Sequence, residues 1–249
     1  MNLKQIIKKY IFRKNNQLIT VGTLNESTRI HWLEEALKKI PTGSKILDAG
    51  AGEQQFKKLC KHLEYVSQDF AQYKPENLNS GLQMVKWDYG QLDIISDIAS
   101  IPREDESFDA VMCTEVFEHI VNPREAVKEF SRLLKSDGYL IITAPFCSLT
   151  HFAPYHFYSG FNRFFYEVEL ENNGFTAIEI VPNGNYFEYL AQEVNRLPYM
   201  AKQYSNRKLN KIQTDTIDKL KILLQNLSDA DTNSAELLCF GYHVIARKR

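Results

Sequence analysis

KILDAGAGEQQF, residues 45–56, is the stretch that decides the fold. The apolar run at Ile46 and Leu47 ends on Asp48, and Gly50 and Gly52 follow with a single spacer. That order is a buried strand running into a tight turn, the opening of a nucleotide-binding unit. A dinucleotide fingerprint needs a third glycine three residues after the second, so that the next helix can close on the pyrophosphate. Here that position is Gln55, and no Walker lysine follows. Asp48 before the turn and Glu53 after it would repel phosphate and attract a cationic ligand.

Working outward, ESTRIHWLEEALKKI carries apolar residues at helical spacing and stops at Pro41 and Gly43, so a helix leads into the first strand. QFKKLCKH reads as a helix and LEYVSQDF as strand two; the third strand falls at LQMVKWDYG or just before Asp97. FDAVMCTE is strand four. VNPREAVKEFSRLLKSDG is then a helix with Asn122 at the N-cap, Pro123 in the first turn and Gly138 as its stop. YLIITAPF is a buried strand, and FYEVELENNGFTAIEIVPN gives a helix, a stop at Gly174 and a sixth strand. ELLCFGYHVIARK is the seventh. The alternation predicts a Rossmann-like, doubly wound α/β fold with a seven-stranded, mostly parallel sheet. Residues 184–234 carry helical patterns and are read as a helical insertion before the last strand, within one domain over residues 26–249.

Composition narrows the function classes. The 249 residues are 44% hydrophobic and 24% charged, ordinary globular values, and 30 basic side chains face 31 acidic ones. This balance gives no reason to expect a nucleic-acid partner. The cysteines Cys60, Cys113, Cys147 and Cys239 form no CxxC pair, so reduced thiols are expected rather than zinc or a disulfide framework. With no apolar run of membrane-spanning length and no signal core, a cytoplasmic location is expected. The exception is residues 1–25, where Leu3, Ile6, Ile7, Tyr10 and Ile11 at helical spacing among five basic residues predict a basic amphipathic helix. Such a helix suits a peripheral membrane contact, or docking on its own domain or on a partner subunit.

The motifs in order resemble those of the class I S-adenosylmethionine-dependent methyltransferases. The resemblance spans residues 44–181, and the C-terminal strand matches the reversed last strand typical of that family. It implies S-adenosylmethionine as cofactor, a ligand with a sulfonium, an amino group and no phosphate. The resemblance places Asp48, Gly50, Gly52 and Glu53 at the methionine end, Asp69 and Phe70 at the end of strand two against the ribose, and Asp97 and Ile98 against adenine. Glu115 would line the methionine end as well. One departure is Gln54, where many members carry a small residue.

The acceptor is read from FCSLTHFAPYHFYSGFNRFFYEVELENNGF, the segment after strand five. It is similar to a branch of these enzymes found with bacterial surface-polysaccharide biosynthesis. That implies a sugar, sugar-phosphate or lipid-linked glycan as acceptor, with Tyr155, Tyr158 and Arg163 binding it. An alcohol must lose a proton as it attacks, which favours a histidine base; His151 and His156 are candidates, and so is His119, four residues after Glu115. His119 suits the orientation of Glu115 equally well. No metal is expected, because no pair of histidines joins a carboxylate at ligand spacing. A phosphate or carboxylate acceptor, a small aromatic metabolite and a non-catalytic scaffold are the alternatives, and oligomerisation is open.

Overall fold

The computed structural model describes residues 12–14, 17–75 and 81–249. By their contacts the residues divide into two compact units, 29–181 with 241–249, and 1–28 with 182–240.

The larger unit is built on a seven-stranded sheet. Its strands are β3 (Lys45–Ala49), β4 (Glu64–Asp69), β5 (Ile94–Ile95), β6 (Phe108–Thr114), β7 (Leu134–Pro145), β8 (Phe175–Asn183) and β9 (Gly241–Lys248), in the order β5-β4-β3-β6-β7-β9-β8. The strands β5, β4, β3, β6 and β7 pair in parallel and β9 runs antiparallel to β7, as expected. Strand order reverses at β3, which puts the switch point at the end of KILDA. Four of the five residues of β3 are buried, the continuous burial of a strand covered on both faces. Leu33, Leu37, Ile46, Met112 and Ile141 belong to one apolar cluster, which joins helix α1 (Asn25–Lys38) to the sheet. Each such side chain contributes roughly 1.5–3 kcal/mol on burial.

Two expected elements differ. QFKKLCKH is not an α-helix but turns followed by a short 3-10 segment, Lys57–Leu59. Gly52 and Gln54 both hold positive φ, 51° and 56°, so the glycine turn runs up to the residue before this stretch. Helix α2 covers Pro123–Leu133 and stops short of Gly138, because β7 begins at Leu134, which pairs with Phe108 of β6. Asn122 holds the N-cap position of α2, yet its side chain makes no capping bond. Helix α3 (Arg163–Asn172) precedes β8 as predicted, and the third strand is the pair just before Asp97.

The smaller unit contains strands β1 (Phe12–Lys14) and β2 (Gln17–Ile19), antiparallel to each other, and helices α4 (Tyr186–Ser205) and α5 (Lys211–Asp229). The helical insertion is therefore present, but it clusters with the start of the chain rather than with the sheet. Ile19, Val21, Ala191, Val194 and Leu224 form its core. The Gln225 side-chain oxygen accepts from the backbone N–H of Thr20 and of Val21, at 3.0 and 2.9 Å. Residues 12–14 and 17–19 are strands where a helix was expected; most of that expected helix, residues 1–11, lies outside the described residues. Among the described residues no helix is long and apolar enough to cross a membrane.

Candidate active site

The carboxyl ends of β3, β4 and β6 open into a cavity of about 610 Å³, within the size range of cofactor sites. Gly50 and Gly52 line it, and both are obligate glycines. A Cβ on Gly50 (φ 79°) would stand 2.6 Å from Val116 Cγ2, and one on Gly52 would stand 2.8 Å from Trp87. Asp69 closes β4. Its Oδ2 accepts from Gly52 N–H at 2.9 Å and its Oδ1 from Ala71 N–H at 2.9 Å, so the carboxylate itself shapes the glycine turn. Burial raises its pKa, and these backbone bonds work against that rise. Each oxygen keeps a second acceptor lone pair for a ligand. Phe70, Asp97, Ile98 and Glu53 also line the cavity. Asp97 Oδ1 accepts from Ala99 N–H at 2.8 Å, and Ile98 offers a buried apolar face. Glu53 is exposed and accepts from Asp88 N–H.

Asp48 is a correction. It does not line the cavity, is only 2% exposed, and accepts a 2.6 Å hydrogen bond from Tyr65 Oη. Asp48 pairs with Ser67 across parallel strands, so Tyr65, two residues back, shares its face of the sheet. Burial pushes the Asp48 pKa up to about 7 against the pull of the Tyr65 bond. Gln54, the departure from the family pattern, sits beside the turn. Its side chain does not line the cavity but donates to the carbonyls of Tyr89 and Gln91, tying that loop to the glycine turn.

The other wall follows β6. Glu115 (φ 55°) accepts from Thr143 Oγ1 at 2.9 Å and pairs with Arg29 at 3.0 Å. His119 ends a 3-10 turn, Phe117–His119, rather than sitting on an α-helix. The loop after β7 folds back onto this turn, with the N–H of Phe157 donating to the Glu118 carbonyl at 2.8 Å. This return brings all three predicted histidines together: ring centroids of His119 and His151 are 4.6 Å apart, and those of His151 and His156 are 4.9 Å apart. His119 Nδ1 faces the Tyr155 carbonyl at 2.6 Å and His151 Nδ1 faces the Leu149 carbonyl at 2.8 Å. A carbonyl only accepts, so Nδ1 carries the proton in each ring, and in a neutral ring Nε2 presents a lone pair. Burial, and then the neighbouring His151, lower the His119 pKa to about 3, so this ring is neutral at physiological pH. His156 shifts downward for the same two reasons, and its Nε2 meets Ser148 Oγ at 3.1 Å.

Three of these features were absent from the sequence reading. Glu118 is 1% exposed, and burial with the nearby Glu115 holds its carboxyl well above the usual range. Arg29 lines the cavity from α1. Tyr73, Trp87 and Phe152 form an aromatic wall, with Tyr73 and Phe152 stacked at 4.4 Å and Trp87 edge-on to both. The aromatic residues between Tyr73 and Tyr89 were the available signal for that wall. Of the predicted acceptor residues, Tyr155 lines the cavity, while Tyr158 and Arg163 do not. Tyr158 donates to the Val121 carbonyl, and Arg163 pairs with Glu167 on its own helix. Among the cysteines, Cys60, Cys113 and Cys239 are buried, Cys147 is exposed, and none is in a disulfide.

Fold and cavity define a doubly wound α/β protein with a cavity at the switch point. Five carboxylates line that site against one guanidinium, and no α-helix N-terminus follows the glycine turn to hold a phosphate. Residues 47–142 match the family model described as a methyltransferase domain. A tRNA (carboxymethyluridine(34)-5-O)-methyltransferase of Arabidopsis thaliana is 28% identical over 145 residues, 56% of this chain and 33% of that protein. The chain spans about a third of the length of the curated relatives it matches. Among solved structures, an S-adenosylmethionine-dependent methyltransferase from Archaeoglobus fulgidus aligns with TM-score 0.51 at 18% identity, covering 90% of this chain and 98% of that one. Phosphoethanolamine N-methyltransferase 2 of Haemonchus contortus, in complex with S-adenosyl-L-methionine, gives TM-score 0.51 at 17% identity, covering 89% of this chain and 52% of that one. At these identities the structural likeness is one of fold.

Proposed function

We propose that the protein binds S-adenosylmethionine and transfers its methyl group to a hydroxyl of a small polar acceptor, a sugar or sugar derivative. The observation that carries this reading is the charge of the cavity: five carboxylates against Arg29, which is itself paired with Glu115. A sulfonium with an amino group is drawn to such a site, whereas a nucleotide pyrophosphate is repelled. Asp69 accepts the ribose hydroxyls, Ile98 packs on adenine, and Gly50 and Gly52 leave room for the methionine end. Methyl transfer is an in-line displacement, so alignment and exclusion of water supply most of the catalysis. The oxygen–carbon bond forms as the carbon–sulfur bond breaks, and the electron pair stays on sulfur as a neutral thioether.

A hydroxyl acceptor is favoured over a phosphate or carboxylate because the wall opposite the cofactor turn carries the neutral His119 ring and no lysine lines the cavity. The lone pair at Nε2 of His151, in its neutral form, suits acceptance of the hydroxyl proton. Tyr73, Trp87, Phe152 and Tyr155 provide faces on which a sugar ring stacks. The same carboxylates and the net charge of −1 weigh against a polynucleotide acceptor. Calorimetric titration with S-adenosylmethionine and S-adenosylhomocysteine, with NAD as control, is the test. Saturable binding of the first two and none of NAD is expected; the reverse would remove the reading. Free and lipid-linked sugar acceptors are then compared for transfer of one methyl group.

A further inference from the structure

We infer that Glu118, His119 and His151 form a binding site for one divalent transition-metal cation on the acceptor side of the cavity. One ligand atom from each residue lies within 4.8 Å of one ligand atom from each of the others. Glu118 Oε1 stands 3.7 Å from His119 Nε2 and 3.9 Å from His151 Nε2.

With both rings neutral and Glu118 ionised, these three atoms are all acceptors. The carbonyls of Tyr155 and Leu149 fix the proton of each ring on Nδ1, so both Nε2 lone pairs are turned toward a carboxylate oxygen. Converging acceptors repel unless something positive sits among them. A proton on Glu118 cannot bridge 3.7 or 3.9 Å as a hydrogen bond. A cation can, since ligands about 2.1 Å from one metal lie roughly 3.0–3.4 Å apart, a closure of about half an ångström. Independently, Glu118 Oε2 is buried with no hydrogen-bond partner, although backbone N–H groups satisfy other carboxylates of this cavity such as Asp69. A metal taking both oxygens would satisfy it. Imidazoles whose second nitrogen donates to a backbone carbonyl are also the usual arrangement of metal-bound histidine, because that bond fixes tautomer and ring orientation.

The donor set selects the metal class. Two imidazoles and one carboxylate suit Zn²⁺, Mn²⁺, Fe²⁺ or Co²⁺ and leave positions open, whereas Mg²⁺ and Ca²⁺ prefer all-oxygen sites. The role of the cation rests on the methyl-transfer reading and takes the place of imidazole base catalysis, since a ligating Nε2 has no lone pair left for a proton: the acceptor hydroxyl would take an open position, its proton would leave to solvent water, and the oxygen would attack the sulfonium methyl. Binding of the cation does not rest on that reading.

The test uses full-length protein stripped by chelator dialysis, titrated calorimetrically with Zn²⁺, Mn²⁺ and Mg²⁺. Expected are one equivalent of Zn²⁺ or Mn²⁺, Mg²⁺ at least about tenfold weaker, and a loss of at least about tenfold in affinity for Glu118→Gln and for His151→Gln. His151 is partly exposed, so its variant reports even where the buried Glu118 variant fails to fold. Co²⁺ absorption separates this site from thiols, because a thiolate-to-cobalt band would assign the metal to exposed Cys147. That band, equal binding by wild type and His151→Gln, or no saturable binding overturns the site. S-adenosylmethionine is titrated into the same metal-free protein. Its binding without metal binding overturns only the metal site, and metal binding without it overturns only the cofactor reading.

Discussion

The two walls of the cavity are made differently. Gly50, Gly52, Asp69 and Ile98 sit at or just beyond the ends of three parallel strands, and each follows its strand within a few residues. Glu118, His119 and His151 meet only because the loop after β7 returns to the turn after β6, held by the bond from Phe157 N–H to the Glu118 carbonyl. A wall built of strand ends inherits its geometry from the sheet. A wall built of two loops depends on their contact, and so carries what varies between proteins of one fold.

This contrast predicts separable effects. His151→Ala removes a lone pair from the loop-built wall and leaves the glycine turn intact. Turnover is expected to fall by about 10²- to 10⁴-fold, the usual range for loss of an acid–base group, while affinity for S-adenosylmethionine stays within about threefold. Parallel loss of cofactor affinity, measured by calorimetry, would mean that the walls are one coupled unit. The next largest effect is Asp69→Ala on the opposite wall. It removes the ribose acceptor and leaves the N–H groups of Gly52 and Ala71 without their carboxylate. Hydrogen bonds to a charged group contribute about 1.5–3 kcal/mol, so cofactor affinity should drop at least about tenfold. An unchanged dissociation constant would take Asp69 out of the site.

What the sequence makes legible follows the same line. β3, β4, β6 and the Asp69 terminus are local patterns of burial and turn chemistry, and periodicity reveals them. The helix expected from QFKKLCKH does not form: the glycine turn leads straight into further turns and a short 3-10 segment, which side-chain spacing alone does not distinguish from an α-helix. Glu118 escaped notice since nothing in VFEHI distinguishes a buried carboxylate from a solvated one. The Glu118, His119 and His151 cluster has no linear spacing to recognise, as its third member comes from another loop. The histidines themselves were legible by residue type and by their position after core strands; their juxtaposition was not. Tyr158 and Arg163 show the converse error, since chemically suitable side chains in the right segment turn to Val121 and Glu167 instead.

Asp48 sharpens the comparison from below the cofactor wall, where the smallest effect on binding is expected. It precedes the glycine turn in sequence but points into the sheet, bonded to Tyr65. Asp48→Asn keeps an acceptor for Tyr65 and should leave cofactor affinity within about twofold, since the side chain does not reach the cavity. Its effect belongs to stability. Burial puts the Asp48 pKa at about 7 in the folded protein against about 3.9 for a free aspartate side chain, so the folded state holds this proton more tightly than the unfolded chain. Stability from the neutral carboxyl is complete below the unfolded value and is lost as pH rises through the folded one. The asparagine cannot ionise. Its stability relative to wild type should therefore climb between about pH 4 and about pH 8, by at most roughly 4 kcal/mol at 1.36 kcal/mol per pKa unit. Denaturant midpoints at the two pH values decide it. A difference that does not change with pH would show that Asp48 stays ionised in the fold, and a carboxylate charged at that depth would bring it back among the groups that attract the cationic ligand.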